Sequence, residues 1–343
     1  MAKSLNDIAR PGCKLASHTM VGNNSRDLVR FRQSLAWSHK LKIRGRPLFA
    51  LIGMSFLWGY SWTGIKIGLL DASPFTFAAL RMGIGAACLL LALWMTGRPF
   101  LPQRVPELLK LGLVQTAALM TLSTWAVAEG TAGRAAFLAY TMPFFTLLMA
   151  WPFLGERVRG PQWLSIFLAA CGLMVIVEPW NMSGKLTSSL LGVSVGFTWA
   201  LGAIMVKRLQ QRGPMDLISM TAWQMFLGSL PLIALALWLP GTPVIWSTRF
   251  ITVLLLVSVV TTAFGWILWL YVLNKLPAGT ASMGTLAAPI VAMLSSAYHL
   301  GERPSLVEFI GISLIGSALL ILSYNALREH RELPSATIQG EGA

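Results

Sequence analysis

The sequence predicts an all-α integral membrane protein, and three observations support this: the composition, the length of the apolar segments, and an internal repeat. Of the 343 residues, 55% are hydrophobic and only 12% are charged, about half of the roughly 25% found in soluble domains. The formal net charge is nevertheless +14. In so apolar a chain, this excess is typical of Lys and Arg gathered at membrane edges and argues against a nucleic-acid-binding surface.

The apolar segments have the length of membrane-crossing helices. A helix needs about 20 residues to cross about 30 Å of hydrocarbon, and inside lipid it satisfies every backbone group. Before these segments, residues 1–46 contain ten Lys or Arg and two acids, which predicts a basic, disordered cytoplasmic tail. Residues 327–343 are predicted to be a second polar cytoplasmic tail. The ten predicted spans cover residues 48–69, 73–96, 107–128, 134–154, 161–179, 187–207, 217–239, 250–273, 278–300 and 305–326.

The basic residues predict the orientation of these spans. With the N-terminus inside, 21 Lys or Arg fall on the cytoplasmic side and five on the outer side, and Arg81 lies within the second span. An excess of positive charge marks the cytoplasmic loops of membrane proteins. Both termini are therefore expected in the cytoplasm, with the protein in the inner membrane of a bacterial-type cell.

An internal repeat divides the spans into two groups of five. At an offset of 146, residues 132–157 and 278–303 share nine of 26 identities, including a proline (Pro143, Pro289) followed twelve residues later by Gly-Glu-Arg. A weaker similarity at offset 141 pairs Trp58 with Trp199. The first repeat is predicted to cover residues 47–180 and the second residues 187–326.

Five spans per repeat place the second repeat in the membrane upside down relative to the first. The sequence therefore predicts ten transmembrane helices as two inverted five-helix repeats. This construction is typical of secondary transporters, in which the two halves exchange roles between inward-open and outward-open states. Channels and membrane enzymes can also contain repeats, so the repeat favours transport over those classes without deciding between them.

Three motifs resemble the EamA-domain transporters of the drug/metabolite transporter superfamily. They are Trp58-Gly59-x-Ser61 in the first span, the doubled Pro–x11–Gly-Glu-Arg, and Trp223-Gln-Met225 in the seventh span. The resemblance covers about residues 47–326. It implies ten helices in two inverted units, a central cavity, and export of small metabolites, often amino acids or related amphipathic compounds.

The repeated motif supplies candidate hinges and loop anchors. Pro143 and Pro289 each lack an N–H and interrupt helical hydrogen bonding, so we expect a hinge or binding site there, with a static kink as the alternative. A carboxylate is unfavourable at a helix C-terminus, which predicts that other contacts hold it. The predicted structural loop anchors are Glu156, Arg157, Glu302 and Arg303.

Arg81 and a set of aromatic residues are the candidate cavity. A cation inside a span is costly unless it faces a wet cavity or a partner. Arg81 could therefore capture a substrate carboxylate, extend to the outer surface, or pair with Asp71. An ion pair between Glu129 and Arg134 is also expected. The full set of cavity candidates is Trp58, Tyr60, Ser61, Trp62, Arg81, Trp125, Tyr140, Trp199, Trp223, Gln224, Trp266 and Tyr271, with ordinary helix packing as the alternative for each.

The sequence contains no recognisable enzymatic or cofactor motif. It has no Walker motif and no paired metal ligands, and its three cysteines have no metal-ligand spacing. We therefore expect no catalytic residues, metal or cofactor. The predicted function is secondary export of small amino-acid-like or amphipathic metabolites across the lipid bilayer by alternating access, with protons as one candidate coupling ion. A passive channel and an intramembrane enzyme are the alternatives, and substrate, direction and oligomeric state stay open.

Overall fold

The computed structural model describes residues 47, 49–155, 157–158, 160–178, 185–213, 215–239, 241–275 and 287–332. The described residues form ten helices and no strand. The predicted N-terminal tail and Glu156 lie outside the described residues, as does most of the C-terminal tail. The helices are α1 (49–68), α2 (Pro74–Met95), α3 (Val105–Glu129), α4 (Ala132–Leu154), α5 (Gly160–Val177), α6 (Lys185–Gln211), α7 (Leu217–Trp238), α8 (Thr248–Lys275), α9 (Ala287–Leu300) and α10 (Leu306–Glu332).

The all-helical membrane architecture predicted from the sequence is confirmed, and each helix lies within a few residues of a predicted span. Eight helices are long and apolar enough to cross a membrane, namely α2 to α8 and α10. Helix α1 is not in this group, and the described part of α9 is a shorter apolar helix. Residues 278–286 of the ninth predicted span lie outside the described residues.

Local sequence signals set where several helices begin and end. Ser73 caps α2 by accepting a hydrogen bond from Thr76 N, and Pro74 occupies the first turn. A proline is tolerated there because the first-turn N–H groups have no partner within the helix. In the Gly-Glu-Arg part of the repeated motif, where α4 and α9 end, Gly155 and Gly301 have φ values of 72° and 67°. Glycine adopts this left-handed conformation without steric cost, which explains why both copies of the motif contain it.

Helices of the same rank in the two halves pack against one another. Helix α2 lies along α7, α5 lies along α10, and the first part of α4 contacts α9. Helices α3 and α7 approach closely where Gly112 faces Gly228: a Cβ atom on Gly228 would lie 2.3 Å from the Gly112 carbonyl oxygen. Any side chain at that position would force the two helices apart.

Helices α3 and α8 hold the same rank in the two halves, and each contains a π-helical stretch. The stretches are Leu113–Ala118 in α3 and Leu256–Phe264 in α8. Helix α4 is interrupted at Tyr140 and Thr141, between Ala132–Ala139 and Met142–Leu154. Irregularities of this kind recur at functional sites because they re-aim side chains and free backbone groups.

Each end of the bundle has its own polar contacts. The Asp71 end contains Asp71, Gly130 and Glu302, where Lys66 Nζ donates to the Gly130 carbonyl at 2.6 Å. The Arg98 end contains the ion pair between Arg98 and Asp216, at 2.7 Å. The region between these ends is mostly apolar and contains the candidate site.

Candidate functional site

A cavity of about 80 Å³ lies between the two halves of the bundle. Its walls come from α1 to α4 of the first half and from α6 and α8 of the second. The lining residues are Trp58, Ser61, Trp62, Ile65, Arg81, Leu119, Met120, Ser123, Tyr140, Val195, Trp199, Thr261, Thr262 and Trp266. The volume is about half of the roughly 150 Å³ that accommodates benzene.

Trp58 lies at the centre of the aromatic wall. Its ring centroid is 6.2 Å from that of Trp199, 5.8 Å from that of Trp266 and 5.9 Å from that of Trp269. Gly265 on α8 makes this packing possible, because a Cβ there would lie 2.7 Å from Trp58 Nε1. The repeat-related residues Trp58 and Trp199 therefore meet edge to face across the cavity, an arrangement that suits the aromatic quadrupoles.

Arg81 contributes the only charged side chain among the described lining residues, and it is 8% exposed. Its Nε donates to Thr262 Oγ1 at 3.1 Å. The Thr262 hydroxyl in turn donates to the Val257 carbonyl five residues earlier, at 2.8 Å, within the π-helical stretch of α8. The irregular helix thus orients the oxygen that accepts from Arg81. In the described residues, no carboxylate lies within ion-pair distance of this guanidinium.

Gln224 on α7 makes the repeat-related contact with α3. Thr116, in the π-helical stretch of α3, donates its hydroxyl to Gln224 Oε1 at 3.4 Å. Gln224 follows Arg81 by 143 positions, and Thr262 follows Thr116 by 146, which are spacings close to those of the sequence repeat. One helix-to-helix contact therefore occurs twice, once with a buried cation and once with a neutral amide.

The structure brings seven of the twelve predicted cavity residues together in the lining, and it places the other five elsewhere. The seven are Trp58, Ser61, Trp62, Arg81, Tyr140, Trp199 and Trp266. Tyr60 hydrogen-bonds His299, Trp125 Nε1 donates to Glu129 at 3.2 Å, and Trp223 Nε1 donates to the Phe100 carbonyl at 2.7 Å. Gln224 is buried against α3, and Tyr271 is exposed.

Small hydroxyl residues of the lining were missed by the sequence reasoning. Ser123, Thr261 and Thr262 are buried within apolar helices, and each hydroxyl donates to a carbonyl four or five residues earlier. Such internal bonds let a hydroxyl lie in an apolar helix and still accept a further hydrogen bond. The adjacent pair Thr261-Thr262 in a strongly apolar span was the one signal available.

The two predicted hinge prolines lie in α4 and α9. Pro143 is in the first turn of the second part of α4, directly after the interruption at Tyr140 and Thr141. Thr141 Oγ1 donates to the Leu138 carbonyl at 2.6 Å, which satisfies a group at the break. Pro289 is buried near the start of the described part of α9. The break therefore lies next to the cavity, where Tyr140 forms part of the wall.

Glu302 contacts the start of α4 through its carboxylate. One oxygen accepts from the Ala132 backbone N–H at 2.9 Å, a favourable position because helix N-termini carry partial positive charge. Burial raises the pKa of Glu302 above its ordinary value, while the Ala132 hydrogen bond and the charge of Lys66 oppose that rise. Of the other predicted anchors, Arg157 and Arg303 are exposed, and Glu156 lies outside the described residues.

Arg134 is a second buried arginine, and it is paired. Its Nη1 donates to Glu308 Oε1 at 2.9 Å, and Nη2 donates to the Ile176 carbonyl and to Ser189 Oγ, each at 2.5 Å. The predicted pair between Glu129 and Arg134 is therefore wrong. The packing of α10 against α4 brings Glu308 to Arg134, whereas Glu129, which precedes the turn between α3 and α4, is not its partner.

Asp71 pairs with Arg249, at 2.8 Å, so the alternative in which Asp71 neutralises Arg81 is also wrong. Ser247 adds a hydrogen bond to the same carboxylate at 3.1 Å. The hydrogen bonds from Arg249 are the main reason that the pKa of Asp71 lies below its ordinary value of 3.8. Asp71 therefore joins the loop after α1 to the first turn of α8.

No cluster of three or more His, Cys, Asp or Glu residues that could hold a metal ion occurs among the described residues. The cavity wall consists of aromatic rings, other apolar side chains, hydroxyl groups and one guanidinium. Such a wall can bind an amphipathic solute through stacking, hydrogen bonds and charge.

Comparison with known proteins shows what this chain resembles. The sequence profile described as the EamA-like transporter family matches twice, at residues 45–178 and 186–324. The "Uncharacterized transporter YoaV" of Bacillus subtilis (strain 168) is 26% identical over 282 residues, covering 80% of this chain and 94% of that protein. A "Probable amino-acid metabolite efflux pump" of Escherichia coli (strain K12) is 28% identical over 276 residues, with coverage of 77% and 90%.

A solved structure described as "Crystal structure of protein" has the same fold. It superposes with a TM-score of 0.59 at 17% sequence identity, covering 83% of this chain and 99% of that one. At this level of identity, the similarity concerns the fold alone.

Proposed function

Because this chain belongs to the EamA-like transporter family, we propose that it is a secondary transporter that exports small amphipathic metabolites by alternating access. In this proposal it spans the inner membrane ten times as two inverted five-helix repeats, residues 47–180 and 187–326. Both termini and the Arg98 end face the cytoplasm. Protons are the proposed coupling ion.

The central cavity is the observation that carries this proposal. Its walls are drawn from both halves, so a bound solute touches both, and a relative movement of the halves can change the end from which it is reached. The two matches to the family profile and the contacts between same-rank helices support an origin by duplication. The E. coli relative, described as a probable efflux pump, supports the outward direction.

The interruption of α4 is a proposed hinge. It adjoins the cavity at Tyr140 and is followed by Pro143. Hinges are short segments that absorb a change of backbone angles while the flanking helices move as rigid bodies. Pro289 is the proposed counterpart in α9.

Transport by the purified full chain in proteoliposomes tests the proposal. Radiolabelled solutes from a broad metabolite panel are loaded inside or outside, with and without an imposed proton gradient. A secondary transporter gives saturable flux and counterflow of labelled against unlabelled solute. Flux that rises linearly with concentration would indicate a passive channel, and no flux of any solute through folded protein would reject transport.

A further inference from the structure

We propose that the central cavity selects small apolar monocarboxylates without an ammonium group over the zwitterionic amino acids of the same shape. This inference deepens the proposed function, on which it rests, by naming the substrate class of the same site. It starts from the charge of the cavity wall.

The wall contains one cation and no anion among its described residues. Arg81 is buried, lines the cavity, and donates through Nε to the neutral Thr262 hydroxyl. A guanidinium has five N–H donors, and one of them is used by that bond. The segment 276–286, outside the described residues, contains no Asp or Glu in the sequence.

The repeat-related contact between Gln224 and Thr116 shows that packing does not need this charge. Gln224 and Thr116 join α7 to α3 as Arg81 and Thr262 join α2 to α8, and they do so with a neutral amide. Burying an unpaired cation costs several kcal/mol. Of the two contacts, only the one at the cavity contains a cation, which indicates that the charge of Arg81 serves the occupant of the cavity.

A carboxylate is the occupant that this arrangement favours. It accepts two hydrogen bonds from a guanidinium in a fixed planar geometry, and its charge neutralises the buried cation. The aromatic rings of Trp58, Trp199 and Trp266 then surround the apolar part of the solute. The hydroxyl groups of Ser61 and Ser123 already donate to the backbone carbonyls of Trp58 and Leu119. Arg81 is therefore the main donor for the carboxylate.

An ammonium group has no acidic partner among the described residues of the wall. A zwitterionic amino acid carries its ammonium on the carbon next to the carboxylate, so the bound carboxylate brings that charge close to Arg81. Like charges repel strongly in a poorly hydrated site, and no described lining residue is acidic. The preference for the monocarboxylate therefore comes from repulsion of the ammonium as well as attraction of the carboxylate.

Two matched series of ligands test the selectivity. The aromatic series is 3-phenylpropionate, phenylalanine and 2-phenylethylamine, and the aliphatic series is 4-methylpentanoate, leucine and 3-methylbutylamine. Binding of each to the full chain in lipid nanodiscs is measured by calorimetry. The two series differ in the size of the apolar group, so the preference for the carboxylate can be compared between a smaller and a larger solute. In at least one series, we expect the carboxylate to bind at least about tenfold more tightly than the amino acid, and the amine not to bind.

Variants of Arg81 and Gln224 test whether the charge of Arg81 causes the preference for the carboxylate. Arg81→Gln reproduces the neutral contact that Gln224 makes with Thr116 and is expected to lower carboxylate affinity at least about tenfold. Arg81→Lys should retain part of that affinity. Gln224→Ala is the control and leaves the selectivity unchanged. If Arg81→Gln does not fold, the order of affinities in the unmodified protein still decides the question.

Several results would overturn the inference. They are equal or tighter binding of the amino acids, binding of the amines, an unchanged preference in Arg81→Gln, and binding of none of the six compounds. Saturable transport of an amino acid would then leave the proposed function intact. Conversely, selective carboxylate binding without transport of any bound compound would support the selectivity and reject the transport function.

Discussion

Arg81 and Arg134 are buried to a similar extent, at 8% and 6% exposure, yet their side chains have different hydrogen-bond acceptors. Arg134 has a carboxylate, a backbone carbonyl and a hydroxyl as acceptors, and only its Nε lacks a partner among the described residues. Arg81 has one hydroxyl acceptor and an adjoining cavity. A buried cation paired with a carboxylate is a structural element, whereas one beside the central cavity without such a partner is available to a ligand.

The largest expected effect comes from breaking the pair between Arg134 and Glu308. Removing one partner leaves the other charge buried and uncompensated, so Glu308→Gln should lower the free energy of unfolding by about 3–5 kcal/mol. Thermal unfolding of purified variants in the same lipid measures the loss. The double variant Arg134→Met/Glu308→Leu should regain most of it, because neither charge is then buried.

The neighbouring exposed residue Arg303 provides the control for this experiment. Arg303→Gln should change stability by less than about 0.5 kcal/mol, as expected for a surface position. Equal stability of Glu308→Gln and the unmodified protein would contradict a structural role for the pair.

A smaller effect on stability is expected at Arg81. Arg81→Met removes one hydrogen bond to Thr262, worth about 1 kcal/mol, and also removes a desolvated charge that has no carboxylate partner. The melting temperature should therefore stay close to that of the unmodified protein, while carboxylate binding is lost. Thr262→Val, which removes the same hydrogen bond, is the matched control. A loss of stability as large as that of Glu308→Gln would show that the two arginines have the same role.

The smallest effect is expected at the Asp71 end, where Asp71 pairs with a half-exposed Arg249. The pKa of Asp71 is lowered in the folded state, and the unfolded value is about 3.9. The folded state therefore binds fewer protons, and the pair stabilises it fully above about pH 5. This contribution is lost as the pH falls through the lowered pKa.

Melting temperatures of the unmodified protein and of Asp71→Asn, measured from neutral to acid pH, test this expectation. The difference between the two proteins should be constant above about pH 5 and shrink below about pH 4. Arg249→Gln should behave like Asp71→Asn. A difference that persists unchanged into acid would mean that the ionised pair is not its source.

The candidate site was only partly predictable from the sequence. Trp58, Ser61 and Arg81 could be named because a deep tryptophan, a hydroxyl and a cation are unusual within apolar spans. Trp125 and Trp223 look the same in sequence, yet their indole N–H groups bind Glu129 and Phe100 at the two ends of the bundle. The rotation of each helix about its axis separates these cases, and it depends on contacts with distant helices.

The sequence by itself determined the helices and their approximate limits, because segment length, apolar composition and breaking residues act locally. It also determined the duplication, which can be read from the repeated Pro–x11–Gly-Glu-Arg motif. Only the tertiary structure decided which charges are paired. Arg134 meets Glu308 across 174 positions, and Arg81 meets Thr262 across 181. The physical reason is that ion pairing depends on distances of a few ångströms between helices, which no local pattern encodes.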